Sequence, residues 1–402
     1  MRHLLVFLLA AVTASALTPA TTESAQPWRL VWSDEFTGPA NSGVSTSEWI
    51  YDVGTQYPGG PPLWGTGEIE TMTSSTDNVH LDGDGHLIIK PLHTGTSPTE
   101  GWTSGRIETQ QFFDAPPNGM LAIEASLQQP NVSGPAAAGY WSAFWMLGAA
   151  FRGNYWNWPG IGEVDIMEGV NGLSSTFATL HCGTAPGGPC NEFTGLSSGQ
   201  RPCPGCQTAF HLYRVELDRA TSPLQIRWYL DGVNFFSVNS TLVDAETWSQ
   251  ATNHAFFIIL NVAIGGAFPA AFGGGPTGST VSGIPLIVDY VRVYKRSAEF
   301  TDDELMPGAT PVRAVHISEL RARVNALRQR FGLIPLTWTN EPLAAQSMSI
   351  RAMHITELRN ALSQAYAAAG LTPPTFDPSL GVGEIVKAIH LAELRSAVSA
   401  LE

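Results

Sequence analysis

"GEVDIMEGV", residues 162–170, places three carboxylates within six positions of a stretch that otherwise has the composition of a buried strand. Ionised side chains are costly to bury, so such a strand requires either partners or a function for its acids. Side chains of a strand alternate between two faces, which puts Glu163 and Asp165 on one face and Glu168 on the other. A β-bulge at Ile166–Met167 would add one residue and return Glu168 to the first face. The sequence therefore predicts a bulge here, or a separate role for Glu168.

The surrounding chain, residues 27–296, is rich in short β-type runs separated by Gly, Pro, Asn and Asp. Many of these runs alternate apolar and polar residues, and no long stretch has a helical period. Such spacing predicts an all-β antiparallel sandwich. Its first and last runs, "RLVWSDEF" (29–36) and "IVDYVRVY" (287–294), are expected to pair, since a sandwich usually brings its termini together.

Two carboxyl groups on one face of a strand suit the hydrolysis of a glycosidic bond. One carboxylate attacks the anomeric carbon and the other group donates a proton to the leaving oxygen, and retaining enzymes hold the pair about 5–5.5 Å apart. With the bulge, the α-carbons of Glu163 and Glu168 would lie roughly 13 Å apart, a gap that strand curvature and two long side chains can close. Asp165 between them would position Glu163 and titrate with it as a coupled group. Negative neighbours and an apolar cleft would keep Glu168 protonated.

The acidic stretch resembles the catalytic signature of glycoside hydrolase family 16, in the bulged form of its laminarinase-type members. The resemblance extends over residues 30–295, where segments similar to those of the family occur in the family's order: "WSDEFTG" (32–38), "SGRIET" (104–109), "SAFWMLG" (142–148), "WPGIGEVDIME" (158–168), "IRWYLDG" (226–232), "LNVAIGG" (260–266) and "VDYVRVY" (288–294). It implies a curved β-jelly-roll with a sugar cleft on its concave face. It also implies that Glu163 is the nucleophile, Asp165 the assisting acid and Glu168 the general acid/base.

Three tryptophans are candidates for a sugar-binding platform. Trp141 and Trp145 share one strand face, and Trp158 stands just before the acidic stretch. The resemblance places all three in the cleft. Packing in the core of the sandwich is the alternative for each of them.

Two further residues have both a functional and a structural interpretation. Arg106 in "SGRIET" matches a family arginine that binds substrate hydroxyls, and the alternative is an ion pair with Glu108 on the same strand. His181 is expected either to border the leaving-group side of the cleft or to anchor the loop that follows it.

All four cysteines, Cys182, Cys190, Cys203 and Cys206, fall within 25 residues of one another. Residues 1–16 have the pattern of a secretory signal, and in an exported protein four such cysteines favour two local disulfides over a zinc site, although "CPGC" has a suitable ligand spacing. Four cysteines allow three connectivities, which the sequence leaves open. We expect residues 182–206 to form a pinned loop over one end of the cleft. At the other side, "WGTGEIETMT" (64–73) replaces an Asn-Asn-Glu-Leu run found in many laminarinases, which leaves the substrate contacts there open.

The resemblance also implies a structural calcium site. Glu35 and Asp289 look like two of its ligands, with the carbonyl of Gly85 as a third, and calcium prefers oxygen ligands of this kind. The alternative is that both acids cap amides at strand ends. No cofactor is expected for catalysis.

The character of the chain changes near residue 297. Residues 297–311 have the composition of a linker, and residues 312–402 contain a repeat: "VRAVHISELRARV" at 312, "IRAMHITELRNAL" at 350 and "VKAIHLAELRSAV" at 386. This period predicts a small all-α domain of stacked units in which the third copy is a cap. Each copy carries one histidine and one Glu-Leu-Arg. We favour salt bridges and packing at repeat junctions over a three-histidine ligand site.

Residues 1–16 have the pattern of a secretory signal, so residues 1–26 are assigned to a signal peptide and N-terminal segment. The net charge is −14; residues 312–402 carry nine Lys and Arg against seven Asp and Glu, so the rest carries twelve against twenty-eight. Such an acidic domain argues against nucleic acid or an anionic membrane as a partner. No segment predicts a membrane span.

Together these features predict a secreted, monomeric, retaining endo-β-1,3-glucanase that hydrolyses laminarin-type β-glucan. Two alternatives stay open: another family 16 specificity, such as mixed-linkage β-1,3-1,4-glucan or galactan, and a glucan-binding protein without activity. The repeats are expected to be a spacer or to attach to a surface or partner.

Overall fold

A computed structural model describes residues 28–298, 300–303, 305, 310–343, 349–381 and 384–402, so the predicted signal peptide lies outside the described residues. The strands are β1 (Arg29–Asp34), β2 (Trp49–Tyr51), β3 (Thr71–Met72), β4 (Val79–Leu81), β5 (Leu87–Ile89), β6 (Leu92–His93), β7 (Trp102–Ser104), β8 (Arg106–Thr109), β9 (Met120–Gln128), β10 (Tyr140–Gly148), β11 (Glu163–Val170), β12 (Ser175–His181), β13 (Leu196–Ser197), β14 (Arg201–Pro202), β15 (His211–Asp218), β16 (Gln225–Leu230), β17 (Val233–Asn239), β18 (Phe256–Ile264) and β19 (Leu286–Arg296). The α-helices are α1 (Ala245–Thr252), α2 (Ala267–Ala271), α3 (Ala314–Arg330), α4 (Ala352–Ala368) and α5 (Ala388–Leu401).

Most strands form two large antiparallel sheets. The first has the order β17-β16-β15-β9-β19-β5-β4, with β1 paired to β19; the second has the order β13-β12-β11-β10-β18-β8-β2, with β14 paired to β12. A small third sheet contains β3, β7 and β6. This architecture confirms the predicted jelly-roll sandwich, and the β1–β19 ladder confirms that the terminal runs pair.

The core lies between the two large sheets, and β10 shows how the sequence builds it. Phe144 and Met146 are fully buried on the side facing the first sheet, whereas Trp141 and Trp145 on the other side keep part of their surface exposed. Burying a side chain of this size stabilises the fold by about 1.5–3 kcal/mol, so the alternation fixes which face points outward. The outward face of the second sheet, which carries Trp141, Trp145 and the carboxylates of β11, is called the acidic face below.

The predicted bulge lies within β11. Phe144 of β10 pairs with Met167, but the next residue, Trp145, pairs with Asp165, so Ile166 is the extra residue. The ladder to β12 shifts at the same place, between Asp165 and Glu168. This confirms the irregularity inferred from the spacing of the acids.

The C-terminal helices form a closed ring, and the prediction of stacked units with a capping third copy is therefore wrong. Each of α3, α4 and α5 contacts the other two. The Glu-Leu-Arg segments explain the closure, because each arginine reaches the glutamate of the next repeat and the third returns to the first. These pairs are Arg321–Glu357 (3.5 Å), Arg359–Glu393 (3.2 Å) and Arg395–Glu319 (4.0 Å). The predicted salt bridges between repeats are present.

The three repeat histidines are buried N-terminal helix residues, each with its own partners. In every repeat Nδ1 accepts a hydrogen bond at 3.2 Å from the main-chain N–H three residues earlier, and Nε2 contacts an upstream side chain. The Nε2 partners are Asp302 for His316, Asn340 for His354 and Ser379 for His390. Both imidazole nitrogens of each histidine have local partners, so the three helices do not bring these histidines together as one ligand site.

Part of the segment predicted as a linker, residues 297–311, belongs to the helical unit. Phe300 is buried in its core, and its ring lies 3.8 Å from the guanidinium of Arg323. The helical unit also contacts the sandwich, since Lys295 of β19 and Arg330 of α3 both donate to the main-chain oxygen of Glu402. Within the described part of the chain, no helix has both the length and the hydropathy needed to cross a bilayer.

Candidate active site

The bulge brings the three carboxylates of β11 onto the acidic face. Glu168 pairs with Ala143, Asp165 with Trp145 and Glu163 with Leu147 across the β10 ladder, and these three β10 positions share one face. Without the extra residue, Glu168 would point into the core between the sheets. The local backbone thus places all the acids on one surface, as the hydrolytic hypothesis requires.

A tryptophan from the opposite sheet satisfies the backbone at the bulge. Trp228 of β16 is fully buried, and its indole Nε1 donates a 2.8 Å hydrogen bond to the carbonyl of Asp165. A bulge leaves ladder groups unpaired, and a buried carbonyl without a partner costs free energy. Trp228 could not be assigned to the site from the sequence, because a tryptophan in "IRWYLDG" has the pattern of an ordinary core residue.

Replacing Trp228 with phenylalanine is expected to lower the free energy of unfolding by about 1–3 kcal/mol, since the Asp165 carbonyl loses its buried donor. The kcat should also fall, because the bulge positions Asp165 and Glu168. Urea unfolding and steady-state kinetics measure both effects. Trp156→Phe is the matched control, because that indole is 69% exposed and also donates to a carbonyl. Equal effects of the two substitutions would contradict the role given to Trp228.

Glu168 is buried, 8% exposed, and has one indole donor. Trp141 Nε1 donates a 2.9 Å hydrogen bond to its Oε1. Burial, followed by the charge of Asp165, raises the pKa of Glu168 well above its ordinary value. A carboxyl group that keeps its proton at neutral pH is suited to donate it.

Glu163 and Asp165 face His181 of β12. The imidazole Nε2 lies 3.3 Å from Asp165 Oδ2 and 3.8 Å from Glu163 Oε1. Burial and the charge of Asp165 raise the pKa of Glu163 to about 8, whereas the charge of His181 lowers it. Burial lowers the pKa of His181, but the carboxylates of Asp165 and Glu192 outweigh burial and raise it well above its ordinary value. Of the two interpretations of His181, its contacts agree with an anchor for the loop that follows, since Nδ1 lies 2.6 Å from Glu192 Oε2 while Nε2 faces Asp165 and Glu163 of β11.

The segment between β12 and β15 contains both disulfides, Cys182–Cys190 and Cys203–Cys206, so the preference for disulfides over zinc is confirmed and the open connectivity is resolved. Trp158 lies beside His181, with the two ring centroids 5.6 Å apart. Phe193, in the loop between β12 and β13, is 68% exposed and stacks on Trp158 with ring centroids 6.0 Å apart. The loop therefore extends the aromatic surface next to Glu163.

Arg106 lies on the acidic face, but its ion-pair partner is not Glu108. Its Nε donates to Asp52 at 3.1 Å and its Nη2 to the Tyr57 hydroxyl at 3.0 Å, whereas Glu108 pairs with Arg152. The guanidinium stacks 4.9 Å from the Trp145 ring. Arg106 is only 4% exposed, so its side chain is nearly enclosed and acts mainly to orient the aromatic residues around it.

Several residues of the acidic face were not predicted. Asn261 of β18 accepts a 2.8 Å hydrogen bond from Trp145 Nε1, and the ladders align it with Arg106 on one side and Ala143 on the other. Glu68 and Glu70 of "WGTGEIETMT" are both buried, and burial and the charge of Glu68 raise the pKa of Glu70 well above its ordinary value. The period-two spacing of these two glutamates was the signal that could have indicated a shared face.

The residues predicted to bind calcium lie apart from the acidic face, around β1 and β19. Both carboxylate oxygens of Glu35 accept hydrogen bonds from Arg292, at 2.9 and 2.8 Å, so its side chain does not fit the role of a calcium ligand. The Glu35 carbonyl oxygen lies 4.0 Å from the position that a Cβ on Gly85 would occupy. The main-chain oxygens of this corner and the Asp289 carboxylate remain compatible with a cation.

Comparisons with known proteins agree with this architecture. A family model described as "XgeA-like, catalytic GH16 domain" matches residues 73–200. A beta-glucanase from Rhodothermus marinus is 33% identical over 310 residues, which cover 73% of this chain and 95% of that protein. A crystal structure of an endo-1,3-beta-glucanase from Streptomyces sioyaensis is 56% identical, with a TM-score of 0.65, and covers 71% of this chain and 100% of its own. An endo-beta-1,3-glucanase from Pyrococcus furiosus is 32% identical, with a TM-score of 0.54, covering 68% and 97%. The fold, the bulged acidic strand and these relatives together show that the chain belongs to glycoside hydrolase family 16.

Proposed function

We propose that this protein is a retaining endo-β-1,3-glucanase that hydrolyses laminarin-type β-glucans. The observation that carries the proposal is the β11 bulge, which puts Glu163, Asp165 and Glu168 on one face, where the carboxyl group of Glu168 accepts a hydrogen bond from the Trp141 indole. The endo-1,3-β-glucanase names of similar proteins support the choice of linkage.

In the first step, the Glu163 carboxylate attacks the anomeric carbon as the bond to the leaving oxygen breaks. Glu168 transfers its proton to that oxygen, so the departing chain leaves as a neutral alcohol and a glycosyl ester of Glu163 remains. Asp165 lies between the two acids and contacts His181. The charges of Asp165 and His181 together influence the ionisation of Glu163 and Glu168.

In the second step, the ionised Glu168 accepts a proton from water while the water oxygen attacks the anomeric carbon. The ester bond to Glu163 breaks and the carboxylate is restored. Two inversions at one carbon give net retention of configuration.

The acidic face is wide enough for an extended chain. A row of paired residues crosses five strands from β8 to β12, namely Arg106, Asn261, Ala143, Glu168 and Phe177. Four strand spacings of about 4.8 Å span roughly 19 Å, which suits several sugar units lying across the strands. We propose cleavage inside a chain from this width and from the endo-1,3-β-glucanase names of the similar proteins.

The substrate assignment is tested by offering laminarin, lichenan, agarose and xyloglucan to the wild type and measuring reducing ends. We expect rapid release from laminarin, with oligosaccharides of mixed length as early products. Release from lichenan, agarose or xyloglucan alone would replace the β-1,3 assignment with another family specificity. Binding of laminarin without release of reducing ends would favour a glucan-binding protein.

His181→Asn is expected to move the acidic limb of the kcat/KM profile to higher pH by roughly one unit. The imidazolium lowers the pKa of Glu163, so its removal raises that pKa and reduces the ionised fraction of the nucleophile at any given pH. The profile on laminarin between about pH 5 and 10 measures the shift. An acidic limb that stays in place would contradict the electrostatic role of His181.

Calcium is proposed as a structural ion bound by the carbonyl oxygens of Glu35 and Gly85 and by Asp289, with no part in the chemistry. A chelator is then expected to lower the melting temperature, and added Ca²⁺ to restore it, because an ion that binds only the folded state stabilises it. Asp289→Asn should abolish the response to chelator. A wild-type melting temperature that the chelator leaves unchanged would end the calcium proposal.

We also propose that the protein is secreted and acts on an extracellular polymer. The two disulfides support this, since such bonds persist in oxidising compartments. A polysaccharide substrate also agrees with an acidic chain that has no evident affinity for anionic polymers.

A further inference from the structure

Glu192, in the loop that follows β12, is buried against the acidic face without belonging to the β11 signature. Its residue is 5% exposed and its side chain is fully buried. Oε2 lies 2.6 Å from Nδ1 of His181, and Oε1 accepts a 2.9 Å hydrogen bond from the main-chain N–H of Cys182. A carboxylate with both oxygens engaged in this way holds the ring and the adjacent backbone together.

The loop is built to keep this carboxylate in place. The Cys182–Cys190 disulfide joins the residue after His181 to the residue two before Glu192. Gly187 and Glu192 also form an antiparallel bridge that closes the loop. A Cβ on Gly195 would lie 2.9 Å from His181 Nδ1, so this glycine lets the loop backbone pack directly against the ring.

We propose that Glu192 is a positioning residue that holds the His181 imidazole against Asp165 and Glu163 and keeps it protonated during catalysis. This inference rests on the retaining mechanism proposed above, in which Glu163 must be ionised. Glu192 does not touch the substrate in this scheme and acts only through His181.

The charges around the ring explain why the proton stays. Asp165 and Glu163 face Nε2 from β11, and Glu192 faces Nδ1 from the loop; Glu168 and Arg106 interact with the same carboxylates from farther along the acidic face. An imidazolium can donate from both nitrogens at once, whereas a neutral ring has only one N–H to donate. Two carboxylates on opposite sides of the ring therefore favour the charged form, and that charge in turn favours ionised Glu163.

The test compares Glu192→Gln, Glu192→Asp and the exposed control Glu100→Gln in the full-length protein. For Glu192→Gln we expect the acidic limb of the kcat/KM profile to move to higher pH with KM within about twofold, because a ring that loses its proton no longer lowers the pKa of Glu163. The shift should have the same direction as that of His181→Asn and be smaller than it. Glu192→Asp should keep the acidic limb near its wild-type position, and Glu100→Gln should change nothing.

NMR titration of the histidine rings measures the protonation of His181 without substrate. The protein is labelled with ¹⁵N-histidine, and His181→Asn assigns the signal. We expect His181 to remain protonated well above neutral pH in the wild type and to lose its proton at lower pH in Glu192→Gln. A wild-type His181 that titrates near its ordinary value, or a Glu192→Gln variant that loses activity equally at every pH, would overturn the inference. If laminarin is not hydrolysed but the His181 titration shifts as expected, the substrate proposal fails and the role of Glu192 stands.

Discussion

Glu163→Ala is expected to lower kcat on laminarin by at least about 10⁴-fold, because no other group on the acidic face is placed to form the glycosyl ester. The loss should occur with little change in KM, since the substitution removes a reacting group and leaves the aromatic surface intact. Reducing-end assays over long incubations measure the residual rate. The folded state is checked by the melting temperature, which should not fall, because the pKa of Glu163 shows that its burial is unfavourable to the charged form.

Azide distinguishes loss of the nucleophile from loss of the whole site. With an activated aryl glycoside of laminaribiose, azide should enter the space left by the side chain, attack the anomeric carbon and displace the phenolate. The product would be a glycosyl azide of inverted configuration. The exposed Glu246→Ala serves as the control and should retain the wild-type rate without azide. Unchanged hydrolysis of laminarin by Glu163→Ala would refute the mechanism.

Glu168→Gln is expected to lower kcat on laminarin by about 10²–10⁴-fold, the range that general acid catalysis contributes. The amide keeps the size and the contact with Trp141 Nε1, so the change removes the proton and little else. Formation of the glycosyl ester from a dinitrophenyl glycoside should be nearly unaffected, because that leaving group needs no proton. Burst kinetics of dinitrophenolate release measure this step separately.

The second step then becomes slow in Glu168→Gln, because no base activates the water. The glycosyl ester on Glu163 should accumulate and be visible by mass spectrometry of the intact protein. Equal losses with laminarin and with the activated glycoside would show that Glu168 is not the proton donor.

Much of the site was predictable because it depends on local spacing. The acids of "GEVDIMEGV" could be assigned to one face as soon as a bulge was allowed, and the structure contains the bulge beside Met167. Trp141 and Trp145 followed from the period of two along β10. The local disulfides followed from the close spacing of the cysteines and from the predicted secretory signal.

The failures concern contacts between residues far apart in the sequence. The alternative interpretation of Arg106 was an ion pair with Glu108, but strand pairing places the Asp52 carboxylate next to its guanidinium. The Glu35 side chain was predicted to bind calcium, but its carboxylate pairs with Arg292 of β19. The repeats were expected to stack, but Arg395 returns to the first repeat and closes a ring. The period of a strand predicts on which face of the sheet a side chain lies, but it does not predict which side chain from a distant part of the sequence contacts it there.

By itself, the sequence determined the sandwich, the faces of its strands and the carboxylates available for chemistry, because periods of two and turn residues act over a few neighbouring positions. Only the tertiary structure decided how these carboxylates are ionised and held. Trp228 reaches the bulge from the other sheet, and Glu192 reaches His181 from a disulfide-bonded loop. Burial and charge act through space, so the pKa values and the geometry of the site depend on which elements the fold brings together.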